Sequence, residues 1–466
     1  MGRDLDDAFA AACDDSRVAT PSPARLAALT EWLRDRTAAH ALRVQRRSLH
    51  SLMRWRFDPA TGDFGHDTGR FFRVTGCRWT DPSDGVAGAS PMLVQPEVGL
   101  LGWLARVRDG VLQFLCQAKT EPGNPGGAAQ VSTTVQATAS NIARVHGGRA
   151  VACADAFPPG DPRVVVDVCA TEHPDRFWQK VNRNVVRWCA DDDAVPEGPD
   201  YEWLTLGDLQ ALLRRDYVVH MDARSVLACL PTVGRAGFAR DLDAWRSACY
   251  RSATALESEA EVATRALHRW LAGHQARAVH AARLMPLCEL AGWGVNNGAL
   301  CGFEPDGWRV VGVHVDAPTR EVPAWNQPLV TSSGRRHVLL VQSRGGVLHA
   351  AVRARFAPGC ATGVELAPTF STFKRLDDPM AWDVWPLLGL PATMFLQSTT
   401  RYHARHAEEG GRFGEQNDWS IVELPSDDAT ALAPTHQWTT LAQLRAFIAH
   451  GWTVSIELRG MTACLW

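Results

Sequence analysis

The sequence holds few lysines: of its 48 lysines and arginines, only Lys119, Lys180 and Lys374 are lysine. The skew towards arginine reads as codon bias, and it makes each surviving ammonium worth inspecting. Positive charge is not in excess either. The 51 Asp and Glu leave a net charge of -3, so nothing drives sequence-independent binding along a phosphate backbone, and nucleic acid is not an expected partner. No run approaches the ~18 apolar residues of a membrane span, and the acidic start Met1-Gly2-Arg3-Asp4 lacks the apolar stretch of a signal peptide. A cytoplasmic protein is expected. The 12 cysteines include no C-x-x-C pair, which favours buried thiols over disulfides or a zinc site. No P-loop, no H-E-x-x-H and no G-x-G-x-x-G between a strand and a helix occur, and none of the four tyrosines has a lysine four residues on. Rossmann-type and short-chain reductase chemistry are therefore unsupported.

At 466 residues the chain exceeds the roughly 250–300 at which a single core stops growing. Its 46% hydrophobic and 21% charged residues suffice for ordinary cores. The chain also contains itself twice. Glu31-Trp32-Leu33 recurs as Arg269-Trp270-Leu271, and Phe72-Arg73-Val74-Thr75-Gly76 as Trp308-Arg309-Val310-Val311-Gly312. Gln95-Pro96 answers to Gln327-Pro328, Pro122-Gly123 to Pro358-Gly359, and Trp203-Leu204-Thr205-Leu206 to Trp438-Thr439-Thr440-Leu441. The offset stays between 232 and 238 over some 200 residues, where chance matches would scatter. The expected organisation is two modules, 1–235 and 236–466, joined by a connector at about 231–260 that has no counterpart in the other copy.

Each copy is expected to open with a helix, with Ser22-Pro23 as cap and first position and Leu26, Leu29 and Leu33 on one face. Leu267, Trp270 and Leu271 form a similar stripe in the second copy. Segments rich in β-branched residues, such as Val164–Val168 and Val310–Val315, read as strands. Capping boxes at Thr205/Asp208 and Thr440/Gln443 start short helices, and a terminal strand is expected to end at Cys229 and at Cys464. The fold class is α/β with mixed sheets, in tandem.

The densest polar cluster interrupts an apolar run: Leu115-Cys116-Gln117-Ala118-Lys119-Thr120-Glu121-Pro122-Gly123-Asn124. Period-two alternation sets Gln117, Lys119 and Glu121 on one face of a strand, and Gln136, Thr138 and Ser140 alternate likewise. An amide, an ammonium and a carboxylate on one face of a half-buried strand point to a polar cavity, or else to a solvated sheet face carrying an incidental ion pair.

These segments, with Gln95–Gly102, Arg144-Val145-His146-Gly147-Gly148, Asn182-Arg183-Asn184, Met221-Asp222-Ala223-Arg224, Arg320-Glu321-Val322, Trp325-Asn326-Gln327-Pro328 and Glu408–Phe413, closely resemble the nucleotidyl-hexose 2,3-dehydratases of deoxysugar biosynthesis. The resemblance covers nearly the whole chain. It implies two Nudix-like modules, a homodimer, no redox cofactor and no metal, and a role in secondary-metabolite (antibiotic) pathways. Arg320-Glu321-Val322 has no following glutamates, so the acidic Nudix box and its pyrophosphate hydrolysis are not implied. The implied substrate is a TDP-4-keto-6-deoxyhexose. Its C4 ketone acidifies the C3 hydrogen, a base makes the enolate, and an acid helps expel the C2 hydroxyl to give a 3,4-diketo-2,6-dideoxy sugar for a downstream 3-ketoreductase.

On that resemblance Glu121 and His146 are the candidate proton-transfer groups, and Lys119 and Gln117 the enolate stabilisers. A carboxylate beside an ammonium stays ionised and makes a poor acid, which points to His146 or Glu172 as donor to the leaving hydroxyl. Arg144 and Arg183 are candidates for the diphosphate and Trp55 or Trp203 for the thymine, with Asn124, Gln136, Thr138 and Asn141 as further binding residues. In the second copy Ala357 stands at the position of Glu121, and Arg353 and Arg355 at those of Gln117 and Lys119. A binding or supporting site is expected there, serving its own chain or completing a partner subunit's pocket. Departures from the family pattern at Ala139, Ile142 and Ala170–Pro174 leave a second reading open, a non-catalytic nucleotide-sugar-binding scaffold derived from a dehydratase.

Overall fold

The computed structural model describes every residue except 1, 146, 191–192, 194, 234–237, 239–241, 303–307, 373–393, 395–396 and 427–430. The first copy runs α1 (Gly2–Val18), α2 (Pro23–Ala39), β1 (Arg43–Arg47), β2 (Trp55–Phe57), β3 (Phe64–His66), β4 (Arg73–Thr80), β5 (Ala87–Val94), β6 (Gly99–Arg108), β7 (Val111–Lys119), β8 (Gln130–Ser132), β9 (Val135–Ala137), α3 (Ala139–Ile142), β10 (Val164–Thr171), β11 (Val181–Trp188), β12 (Tyr201–Thr205), α4 (Leu206–Leu213) and α5 (Met221–Ala228). The second runs α6 (Ala244–Ala253), α7 (Thr264–Ala278), β13 (Ala282–Met285), β14 (Trp293–Asn296), β15 (Ala299–Gly302), β16 (Arg309–Asp316), β17 (Ala324–Thr331), β18 (Arg336–Arg344), β19 (Val347–Phe356), β20 (Val364–Ala367), β21 (Phe370–Thr372), β22 (Thr399–Ala407), β23 (Gln416–Leu424), β24 (His436–Thr439), α8 (Leu441–His450) and α9 (Ile456–Ala463). Strand for strand the copies correspond, which establishes a mixed α/β fold in tandem.

Local chemistry explains the shared elements. The Ser22 hydroxyl accepts the Arg25 N–H at the start of α2, whose Leu29 and Leu33 are buried. Both capping boxes form, at Thr205/Asp208 and Thr440/Gln443. Thr134 takes the Leu104 N–H (3.0 Å) and gives its own proton to the Leu115 carbonyl (2.6 Å). Thr369 does the same for Leu340 (2.8 Å) and Ala351 (2.5 Å). Each hydroxyl thus satisfies a buried backbone pair that the local ladder leaves open.

Two expectations need correction. The segments ending near Cys229 and Cys464 are helices, α5 and α9, not strands. The apolar pair Val218-Val219 disguised the first, and its cap is His220, whose ring accepts the Asp222 N–H in place of the usual hydroxyl or carboxylate. The stretch expected to lack a counterpart also contains one. Ser16 of α1 donates to the Leu112 carbonyl and accepts the Leu206 N–H, and Ser252 of α6 makes the same two bonds with Leu348 and Leu441. Thus α6 is the second copy's α1, recognisable by contacts although its sequence has drifted.

Each copy builds a seven-stranded sheet, β10-β11-β6-β7-β12 with β8 and β9 attached, and β20-β19-β18-β23-β22 with β21 and β24. Each also builds a five-stranded sheet, but there the copies exchange strands. β1 lies against β16 of the second copy, and β13 against β4 of the first. Helices α5 and α9 meet where the copies join. Arg224 of α5 reaches the Ala407 carbonyl (3.0 Å) and Arg459 of α9 reaches that of Thr171 (2.7 Å), so each buried guanidinium satisfies the strand end of the opposite copy. One apolar core, from Phe9 through Trp103 to Trp419 and Leu465, runs through both copies.

Close backbone docking accounts for the repeated Pro-Gly. Gly123 donates its N–H to the Gly410 carbonyl (2.7 Å), and a Cβ there would sit 2.0 Å from the Phe413 carbonyl oxygen. Gly359 repeats the arrangement against Pro174 and Phe177, with a Cβ 1.9 Å from the Phe177 oxygen. Only glycine lets the two turns meet. The first of these contacts presses the turn after β7 against the turn after β22 and forms one end of the main cavity.

Candidate active site

A cavity of about 510 Å³ opens where the copies meet. The first copy supplies Lys119 from the end of β7, Glu121 two residues on, Gln136 of β9, and Thr138, Ser140 and Asn141 around the start of α3. Its deeper wall holds Glu172, Lys180 and Asp222, and an aromatic side carries Trp55, Phe71, Phe72 and Phe177. The second copy closes the space with His314, Arg320, Trp325, Gln327, Glu409 and Arg412.

Alternation along β7 works as the sequence predicts. Lys119 Nζ lies 3.3 Å from Glu121 Oε1 and donates to the Gln136 carbonyl at 2.8 Å. Arg320 approaches the same carboxylate at 3.6 Å while donating to the Thr120 carbonyl at 3.1 Å. Burial alone would push Glu121 up, but Arg320 and then Lys119 outweigh it and hold the carboxyl below its ordinary range. Glu121 is therefore an ionised carboxylate, 6% exposed, beside an ammonium.

The deeper carboxyls shift the other way. Burial raises Glu172, with Arg459, His173 and Lys180 only partly offsetting it. Burial raises Asp222 well above the usual carboxyl range, helped by the nearby Glu172 and Glu409. Lys180, which donates to the Glu97 carbonyl, is pushed down to about 8 by burial and then by Arg412. His220 is fully enclosed and pushed down to about 3 by burial, so its ring is neutral. With Nδ1 accepting the Asp222 N–H (3.2 Å), Nε2 carries the proton and donates it to the Glu409 carbonyl (3.0 Å). This single ring ties the start of α5 in one copy to the turn after β22 in the other.

The cavity thus gathers Lys119, Glu121, Glu172, Trp55, Gln136, Thr138 and Asn141 from the sequence candidates. Thr138 also caps α3, accepting the Asn141 N–H, and Trp55 donates to the Asn326 carbonyl (2.7 Å) while packing on Phe64 and Phe72. Other candidates do not line it. Gln117 reaches the Tyr201 hydroxyl (3.3 Å). Asn124 is buried in its turn, donating to the Ala128 carbonyl (2.9 Å). Arg144 folds back on the Gly148 carbonyl (3.0 Å), and Arg183 is held in a two-point pair with Asp167 (2.7 Å) on the far side of its strand. Trp203 lies under the Arg106 guanidinium, 3.8 Å from the ring centre. His146 falls outside the described residues.

The second copy's guanidiniums also lie elsewhere. Arg355 is taken up by Glu365 (2.6 Å), Glu457 (3.2 Å) and Asp175 (3.7 Å), and Arg353 sits beside it on β19. Neither lines the cavity. The second copy's contribution comes instead from Arg320, Gln327, Glu409 and Arg412. Sequence reasoning assigned no role to these residues, nor to Lys180 or Asp222. The available signal was their clustering of charge in short motifs, but nothing local shows that residues 320, 409 and 412 face residue 121.

The chain matches the family model described as NDP-hexose 2,3-dehydratase twice, over residues 26–230 and 264–465. It is 37% identical over 453 residues to a dTDP-4-dehydro-6-deoxy-alpha-D-glucopyranose 2,3-dehydratase of Amycolatopsis orientalis, a match spanning 93% of this chain and 88% of that one. A protein of the same description from Saccharopolyspora spinosa is 34% identical over 442 residues, covering 93% and 90%. Among solved structures, a Nudix hydrolase from M. smegmatis matches 26% of this chain and 81% of its own at 21% identity, with a TM-score of 0.17.

Proposed function

The chain belongs to the NDP-hexose 2,3-dehydratase family, and from that premise we propose that it is a lyase removing water across C2–C3 of a TDP-4-keto-6-deoxyhexose to give a 3,4-diketo-2,6-dideoxy sugar. The observation that carries the reading is the pairing of Glu121 with Lys119 at 3.3 Å inside a cavity that also holds Glu172 and Asp222, carboxyls that burial pushes up. Elimination next to a ketone needs one ionised base, one protonated acid and a positive group near the developing enolate oxygen.

In this reading the C4 ketone lies towards Lys119. Glu121 takes the C3 proton, and the enolate charge develops beside the ammonium, where a preorganised donor contributes about 3–4 kcal/mol. The leaving C2 hydroxyl takes its proton from one of the two carboxyls that burial pushes up, Glu172 and Asp222. Arg320 and Arg412 replace Arg144 and Arg183 as the guanidiniums for the diphosphate, since both line the cavity. Trp325 and the Phe71–Phe72 side supply apolar faces for the thymine, alongside Trp55.

We further infer a homodimer acting in the cytoplasm on a secondary-metabolite (antibiotic) pathway, with a 3-ketoreductase consuming the labile diketone. The scaffold alternative finds less support, because the ammonium–carboxylate pair is intact and enclosed. Incubation with TDP-4-keto-6-deoxyglucose in deuterated water, with a 3-ketoreductase as trap, tests the reading. A product that has lost its C2 oxygen and gained deuterium at C2 is expected. Substrate recovered with its C2 oxygen intact, under conditions where TDP binds, overturns it.

A further inference from the structure

The duplication supplies an internal comparison at the start of α5. Asp222 stands in its first turn, and Glu457 stands at the matching place in α9, behind the Ser455 cap. Glu457 is 3.2 Å from Arg355, which holds it ionised. The residue matching Arg355 in the first copy is Lys119, and Lys119 is engaged with Glu121 and the Gln136 carbonyl instead. Among the described residues no Lys or Arg comes within ion-pair distance of Asp222: its ion-pair neighbour there is His220 at 3.8 Å, whose ring is neutral. Its Oδ1 is buried with no hydrogen-bond partner among the described residues, and the residue, 2% exposed, lines the cavity.

A buried carboxyl with an unpartnered oxygen is unfavourable unless something else meets it. The second copy shows that this position on the helix is readily given a partner. We infer that Asp222 is a catalytic residue, the acid that hands its proton to the C2 hydroxyl as that group departs. Glu172 Oε1 is likewise buried without a hydrogen-bond partner among the described residues, but it lies 3.8 Å from the Arg459 guanidinium, an ion-pair cation that Asp222 lacks, which makes Glu172 the less suited of the two. Glu172 and Glu409 act on Asp222 to raise it further, Lys119 pulls the other way, and Glu121 and the buried Arg224 guanidinium are further charged neighbours. This assignment rests on the dehydratase reading and deepens it.

The step balances. The C3 proton passes to Glu121, and the electron pair of the enolate forms the C2=C3 bond. The C2–O pair leaves with the oxygen, which takes the Asp222 proton and departs as water. The enol hydroxyl on C3 then reprotonates the Asp222 carboxylate as C2 takes up the proton held by Glu121, which has exchanged with solvent, so that both carboxyl groups return to their starting states.

The test pairs Asp222→Asn with two substrates in deuterated water, the natural 2-hydroxy sugar and its 2-deoxy-2-fluoro analogue. Asp222→Asn is expected to bind TDP like wild type and to keep exchanging the C3 hydrogen, because Glu121 is untouched. Its water loss is expected to fall by about 10²–10⁴-fold. Fluoride leaves without a proton, so fluoride release should fall by less than about tenfold. Water loss at the wild-type rate, equal deficits for both leaving groups, or loss of C3 exchange each overturn the assignment. Should the variant not bind TDP, the wild-type pH profile decides. An alkaline decline in elimination from the hydroxyl substrate that is absent for the fluoro analogue supports Asp222, and identical profiles overturn it. Wild type that exchanges no C3 hydrogen and releases neither water nor fluoride overturns the dehydratase reading itself, a result distinct from failure of the variant alone.

Discussion

Replacing Glu121 by glutamine keeps the side chain's shape and removes its charge. If Glu121 is the base, turnover should fall by about 10²–10⁴-fold, which is about 2.7–5.4 kcal/mol at 1.36 kcal/mol per tenfold. The same change leaves Lys119 and Arg320 without their shared anion at 3.3 and 3.6 Å. Removing one partner of a buried pair costs about 3–5 kcal/mol of stability. Here the loss should fall at or below the low end, because the Arg320 side chain is 24% exposed and Lys119 keeps its bond to the Gln136 carbonyl. Two assays separate the effects. Urea unfolding reads the stability, and C3 exchange in deuterated water reads the proton abstraction. Adding Lys119→Met to Glu121→Gln should recover stability by removing the stranded ammonium, and should recover no exchange. TDP affinity in the single variant should be no weaker than wild type, since the cavity becomes more positive. Glu121→Gln that folds, binds TDP and still turns over within tenfold of wild type would remove Glu121 from proton transfer.

Arg320→Ala should move the acidic limb of kcat/KM to higher pH, because Arg320 is the foremost of the groups holding the Glu121 carboxyl down. The stability contributed by that ionised carboxylate is present above its unfolded value near 4.5 and is lost as pH falls through the lower folded value. In Arg320→Ala that contribution should be smaller and its loss complete at higher pH; an unmoved limb would show that Arg320 does not act through Glu121. Trp203→Ala should leave TDP affinity unchanged in a calorimetric titration, since its ring is covered by Arg106 and lies outside the cavity. A tenfold weakening would return Trp203 to the nucleotide site.

Much of this protein was legible without coordinates, because the signals were local or repetitive. The duplication appears as a constant offset, and the capping boxes and alternation along β7 depend only on neighbours in sequence. The pairing of Lys119 with Glu121 follows from period two. Candidates failed where a side chain's partner was distant. Arg183 looked free until Asp167 on the adjacent strand claimed it, and Arg355 looked suited to an anion until Glu365, Glu457 and Asp175 surrounded it. A helix around Asp241 to Tyr250 was legible in the connector, but the kinship of α6 with α1 escaped recognition because it lies in the bonds of Ser252 rather than in a matching run of letters.

Residue order alone thus determined that an ancestral unit was doubled, which elements each copy forms, and which strand face carries an ammonium and a carboxylate. Only the tertiary structure decided that the second copy closes the first copy's cavity with Arg320, Glu409 and Arg412, and that Asp222 lines the same space. These residues lie about 100 to 290 positions from Glu121. What brings them together is the docking of two turns through Gly123 and Gly410 and the crossing of α5 with α9. Such contacts depend on shape and burial across the whole molecule, and the sequence around any one of them does not record its partner.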